Sequence, residues 1–183
     1  MMRIVLSLLV VGFLSACAGV GPNSGVAVGP NGEPLARLYR IKASDTARIQ
    51  FSFLDGMNSL RRVSGLAPVT LNPQLNAAAA THSRDMSNQN RAWHFGSDGS
   101  SPIDRVQRVG YTGALKGEAI SETYESELET LAAWVEASDT RGVILNADAT
   151  DIGLSWFQEQ NGKIWWTLVT GQAPSTPMPI AAN

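Results

Sequence analysis

At 183 residues, with 44% hydrophobic and 16% charged side chains, the chain has the composition of one ordinary globular domain plus short extensions. A formal net charge of -2, without any local cluster of Lys and Arg, excludes a nucleic-acid-binding surface. There is neither a fixed-period repeat nor a Gly-rich phosphate loop.

The first segment reads as a targeting signal rather than as part of the fold. Arg3 supplies a positive charge ahead of an apolar run from Ile4 to Leu14, too short for a bilayer span of about 20 residues but suited to export. The single cysteine, Cys17, closes Leu14-Ser15-Ala16-Cys17, which resembles the lipobox of bacterial lipoproteins. The resemblance implies cleavage before Cys17, diacylation of its thiol, and anchoring by several acyl chains including palmitate. Ala16-Cys17-Ala18 also fits ordinary cleavage after Ala18, but a lone cysteine in an exported chain has no disulfide to form. Ala18 after the cysteine, by resemblance to the enteric sorting rule, favours the periplasmic face of the outer membrane.

The expected organisation is a signal peptide over 1–16, a lipidated N-terminus and Gly/Pro/Asn-rich tether over 17–37, a domain over 38–172 and a Pro-rich tail over 173–183. Within the domain, a first helix is predicted from an N-cap at Ser44 or Asp45 to just before Gly65, with Ile49, Phe53, Met57 and Leu60 as its apolar stripe. Asn72-Pro73 announces a second helix carrying Leu75, Ala79, His82 and Met86. Ser101-Pro102 opens a short third helix with Ile103 and Val106, ending before Gly110. A fourth is expected after Thr123, carrying Tyr124, Leu128, Leu131 and Val135. The period then changes. Ile152, Leu154 and Trp156 alternate on one run and Ile164, Trp166 and Leu168 on the next, joined across the hairpin dipeptide Asn161-Gly162. Glu118 to Ser121 is a candidate third strand. Helices first and strands last predict an α+β fold, with helices packed on a small antiparallel sheet.

The two histidines differ in setting. His82 lies on an apolar helical stripe and reads as a core histidine. His94 lies off any stripe, in Trp93-His94-Phe95, just ahead of a Gly/Ser/Asp loop. Ser97, Ser100 and Ser101 in that loop read as a turn followed by an N-cap rather than as a nucleophile. Of the five tryptophans, adjacent Trp165 and Trp166 must point to opposite faces of a strand and are expected in the core. Glu122, Glu125, Glu127 and Glu129 read as helix capping and solvation.

The stretches "GLAPVTLNPQLNAAAATHSRDM", "HFGSDGSSPIDRVQRVGY", "GEAIS", "ILNADATDIGLSW" and "IWWTLVTG" resemble, in order, the CAP superfamily of cysteine-rich secretory, antigen 5 and pathogenesis-related 1 proteins, including its bacterial SCP-like branch. The resemblance covers roughly residues 53–171 and implies a three-layer α-β-α sandwich. It further implies a cleft with two histidines and two glutamates that in some members holds a divalent metal. His94 matches the first histidine and Glu118 the first glutamate. Glu136 lies nearest the second glutamate, one residue before the usual place, which here is Ala137. The second histidine is replaced by Thr140, ahead of Arg141.

This departure weakens the implied metal chemistry, because zinc wants three or four N, S or O ligands at about 2.0–2.3 Å. With His94 and Glu118 as the metal ligands, completed by Asp139, Glu136 or water, the expectation is a weak oxygen-rich site that tolerates magnesium or calcium better than zinc. No other cofactor is assigned. The function expected is a lipid-anchored envelope protein acting as a non-catalytic binding module. Its cleft around His94, Glu118, Glu136 and Thr140 would take a lipid, a peptide or an envelope protein. The alternative is a metal-assisted hydrolase acting on peptide or cell-wall material. A Ser-His-Glu hydrolase and a purely structural domain are weaker readings.

Overall fold

The computed structural model describes residues 39–174. The signal peptide, Cys17, the tether and most of the tail lie outside the described residues. In chain order the elements are α1 (Thr46–Val63), β1 (Thr70–Leu71), α2 (Pro73–Gln89), α3 (Pro102–Arg108), β2 (Ala114–Ser121), α4 (Glu127–Glu136), α5 (Ser138–Ile144), β3 (Asp151–Gln158) and β4 (Ile164–Gln172). A single 3-10 turn, Ala43–Asp45, leads into α1. Among the described residues no helix is long and apolar enough to cross a membrane.

The sheet order is β1-β3-β4-β2. The β2–β4 and β3–β4 pairs are antiparallel, but two-residue β1 runs parallel to β3, so the expected antiparallel sheet is mixed. Period-two alternation sorts the side chains of β4 between two helical layers. Trp166 and Leu168 join Ile49, Phe53, Met57, Leu131, Trp134 and Ile144 in one cluster, under α1, α4 and α5. Val169 joins Leu75, Ala78, Ala79, Val106 and Tyr111 in the other, under α2 and α3. This is the α-β-α sandwich. Burying each large apolar side chain stabilises it by about 1.5–3 kcal/mol, and Ile49, Phe53 and Met57 are wholly buried. Trp165 and Trp166 are both buried, as core packing predicts.

The local signals act as expected at most helix ends. Asn72 accepts from the N–H groups of Gln74 and Leu75, with Pro73 at the first helical position. Ser101 and Asp104 form a reciprocal capping box. Gly65, at φ 72°, ends α1.

Other parts of the sequence reading need correction. The fourth helix starts at Glu127 rather than after Thr123, because Ser126 and Glu129 form a capping box there, leaving Tyr124 outside. Its buried face is consequently Glu127, Thr130, Leu131 and Trp134, and Leu128 is exposed. Of the glutamates read as capping, Glu127 and Glu129 occupy the first turn, while Glu122 pairs with Lys163 instead. Helix α5 and strand β1 carried too little periodicity to be seen. Finally, the β3–β4 connection runs from Glu159 to Lys163, longer than the two-residue turn that Asn161-Gly162 signals.

Candidate functional site

His94 is held from three directions. Trp93 anchors the segment: its indole N–H donates to Gln89 Oε1 at 2.8 Å, the Arg91 guanidinium lies 3.9 Å from its ring centroid, and the Phe95 ring sits 5.6 Å away. The backbone carbonyl of His94 accepts from Arg105 Nη1 at 3.0 Å. The imidazole Nδ1 lies 2.9 Å from Glu118 Oε1. Because a carboxylate only accepts, Nδ1 carries the proton and donates, and the outer edge of the ring presents Nε2. The side chain of His94 is 49% exposed and that of Glu118 2%, so an imidazole at the surface stands on a buried carboxylate.

Two partners that the sequence reading did not place here share that carboxylate. Arg105 of α3, 5% exposed, donates through Nη2 to both oxygens of Glu118, at 2.9 and 2.7 Å. Its Nη1 also donates to the Ser100 carbonyl at 3.1 Å, which ties the loop after His94 to β2. His82, wholly buried, donates from Nε2 to the Trp93 carbonyl at 2.9 Å and lies 3.6 Å from Glu118 Oε1. That bond assigns the proton to Nε2 and leaves Nδ1 as a buried acceptor without a partner among the described residues. The prediction of a core histidine holds for burial, but His82 is also the second histidine at Glu118. Burial pushes its pKa down, the nearby Glu118 carboxylate opposes this, and Arg105 adds to it.

The loop serines serve structure. Ser97 donates both its N–H and its hydroxyl to Asp85, Ser100 N–H donates to Asp98, and Ser101 caps α3. None touches His94 Nε2.

Glu136 and Thr140 are placed elsewhere. Gly117 faces α5, where an added Cβ would come within 2.9 Å of Val143. Glu118, next along β2, therefore points away from the layer that carries Glu136 and Thr140. The Thr140 hydroxyl donates to the Trp134 carbonyl at 2.8 Å, satisfying an otherwise free group at the end of α4. Glu136 and Asp139 are exposed. The sequence resemblance put four residues in one cleft; the structure joins His94 and Glu118 and adds His82 and Arg105.

The residues present do not fit the divalent metal implied for this site. Glu118 already meets one full positive charge at both oxygens, and a cation bound there would face the Arg105 guanidinium at contact distance. Among the described residues no three His, Cys, Asp or Glu side chains converge to hold an ion. Arg105 could have been suspected from sequence: it precedes Val106 on the inward face of a short helix, where a charged residue needs a buried partner.

An α-β-α sandwich with a loop histidine seated on a strand carboxylate defines the class of protein. The sequence profile of "CAP: Cysteine-rich secretory protein family" matches residues 54–170, and the chain belongs to that family. Protein YkwD of Bacillus subtilis (strain 168) is 30% identical over 108 residues, spanning 59% of this chain and 41% of that relative. The fold is similar to that of an outer surface protein from Borrelia burgdorferi, with TM-score 0.65, 16% identity and coverage of 75% of this chain and 100% of that one. It is also similar to an extracellular protein containing a SCP domain from Bacillus anthracis str. Ames, with TM-score 0.62, 21% identity and coverage of 72% and 44%.

Proposed function

We propose that this chain is an exported bacterial envelope protein, anchored through lipid at Cys17 at the periplasmic face of the outer membrane. Its CAP domain is a non-catalytic binding module that presents the His94 imidazole to a lipid, a peptide or an envelope protein. One observation carries the binding reading: Glu118 is committed on both oxygens, to Arg105 and His94. The carboxylate therefore orients the ring rather than ligating metal, and Nε2 is left outward as a fixed hydrogen-bonding group. The surface neighbours of the similar folds support export, and the sequence before residue 39 supports the anchor.

The test has two arms. Calorimetric titration of the full chain with zinc, magnesium and calcium, beside His94→Ala, should give no saturable heat that depends on His94. Titration of the histidine ring resonances with cell-wall peptides and envelope lipids should move His94 for one of these classes. Hydrolysis of peptide or cell-wall material that disappears on His94→Ala would overturn the reading in favour of the metal-assisted hydrolase or another enzyme. Labelling with radioactive palmitate, lost in Cys17→Ser, tests the anchor separately.

A further inference from the structure

We propose a second binding site, apart from the face of His94: the cavity between α2, α3 and the loop over 97–100 takes a small ligand with an apolar body and a single ammonium group, held by Asp85. The cavity has a volume of about 340 Å3, within the usual range for small-molecule sites of roughly 300–1,000 Å3. Neither His94 nor Glu118 lines it.

The helix geometry explains why the space is there. Ala78, Thr81, Asp85 and Asn88 recur at intervals of three, four and three residues, so they share one face of α2. No long apolar side chain on that face fills the gap to Val109 at the end of α3, and the lining is mostly carbon. An apolar ligand body gains by leaving water for such a wall.

The oxygens in that wall are set to accept. The Thr81 hydroxyl gives its one proton to the Ala77 carbonyl at 2.9 Å, and the Ser97 hydroxyl gives its own to Asp85 Oδ1 at 2.6 Å. Each therefore offers only lone pairs to a ligand. Asp85 Oδ2 accepts from the Ser97 N–H and from Gln89 Nε2, at 2.7 and 2.9 Å. A carboxylate has about four acceptor positions, so these three bonds leave one open on Oδ1.

The charge on Asp85 is the one left unmatched. All three of its donors are neutral, and among the described residues no Lys, Arg or His side chain pairs with it. The other charges of the wall are matched within the protein: Asp98 pairs with Arg108, and Arg105 with Glu118. Arg84 carries its charge away from the space, because its guanidinium stacks on Phe157 of β3, 4.5 Å from the ring centroid, on the other flank of α2. The cavity thus holds one uncompensated carboxylate in a mostly apolar wall, where low polarity strengthens its pull on a cation. An ammonium, with donors and no acceptor, matches both that carboxylate and the hydroxyl lone pairs beside it.

The test is a calorimetric titration of the full chain at pH 7 with 1-naphthylmethylamine, which is an ammonium there, and separately with its neutral alcohol analogue and with 1-naphthoate. The amine should bind once and saturably, and the alcohol and the naphthoate each at least about tenfold more weakly, a difference of about 1.4 kcal/mol. Asp85→Asn should weaken the amine by about tenfold or more and bring it level with the alcohol. Thr81→Phe should abolish binding by filling the cavity, and His94→Ala should leave it unchanged. Thr81 and Asn88 are exposed, so should Thr81→Phe misfold, Asn88→Trp on the same helix face blocks the same space. Should Asp85→Asn lose the parent circular dichroism, the order of the three ligands and the filling variant decide the matter by themselves. The proposal is overturned if the amine shows no saturable binding, if the alcohol or the naphthoate binds as well, if a folded Asp85→Asn or the filling variant binds as the parent does, or if binding is lost in His94→Ala.

Discussion

Arg105 Nη2 donates to both oxygens of Glu118, and the same guanidinium holds the carbonyls of His94 and Ser100 through Nη1. One cation on a short helix therefore links strand β2 to the loop that displays the site histidine. Removing one member of a buried ion pair leaves the other charge without compensation, at a cost of about 3–5 kcal/mol. Arg105→Met should lower the urea midpoint accordingly. Arg105→Met with Glu118→Leu should recover part of that loss, because neither charge then remains buried alone. A single variant as stable as the parent would mean that the Arg105–Glu118 pair contributes no net stability.

The buried His82 should give the protein a stability component that depends on pH. Its folded pKa is depressed, with burial the largest cause, while the unfolded value is about 6.5. Between the folded and unfolded values the unfolded chain binds the extra proton, so stability rises with pH there. The component is complete above about pH 6.5 and is lost as pH falls from that value through the folded pKa. His82→Gln keeps an N–H for the Trp93 carbonyl and should remove this limb from a plot of melting temperature against pH. A limb of unchanged size in the variant would assign it to another group.

Gly153 marks the closest approach of β3 to α2. A Cβ there would lie 2.1–2.4 Å from backbone atoms of Leu75 and Asn76, which cannot move aside as a side chain can. Gly153→Ala should cost about 3 kcal/mol or more. Gly142, in α5, has nothing within 4 Å of its added Cβ, so Gly142→Ala should be neutral or stabilise by up to about 1 kcal/mol. Denaturation of the two variants side by side separates collision from helix propensity.

Arg61 is wholly buried and donates to the carbonyls of Ala67, Ile144, Asn146 and Ala149, at 2.8, 3.0, 2.9 and 3.2 Å. It joins the end of α1 to the segment between α5 and β3. Arg61→Met should cost about 3 kcal/mol or more by leaving buried carbonyls unpaired. Arg61→Lys should recover only part, since an ammonium lacks the planar fork. Hydrogen exchange at residues 144–149 should accelerate in the Met variant.

The elements that were legible in the sequence are those whose signals are local. Asn72-Pro73 and Ser101-Pro102 mark helix starts because cap and first turn lie within a few residues of each other. The strands announce themselves because Ile152, Leu154, Trp156 and Ile164, Trp166, Leu168 meet one apolar layer. Tyr124 and Leu128 misled: their helical spacing was real, but the Ser126–Glu129 capping box started α4 later and turned Leu128 outward. Helix α5 was hidden because, among its seven residues, only Ile144 is buried.

At the site, His94 and Glu118 were recognisable from their place in ordered motifs, and the substitution at Thr140 was visible as a departure from the pattern. What the sequence by itself determined was helices α1 to α4, strands β2 to β4, most of the apolar faces they bury, and the one exposed histidine set before a turn. What only the tertiary structure decided was the company Glu118 keeps. Its side of β2 depends on pairing with β4, and that side brings Arg105 and His82 against it while directing it away from Glu136 and Thr140. Local periodicity carries no record of that choice, because it arises from strand pairing and the packing of separate helices on opposite faces of the sheet.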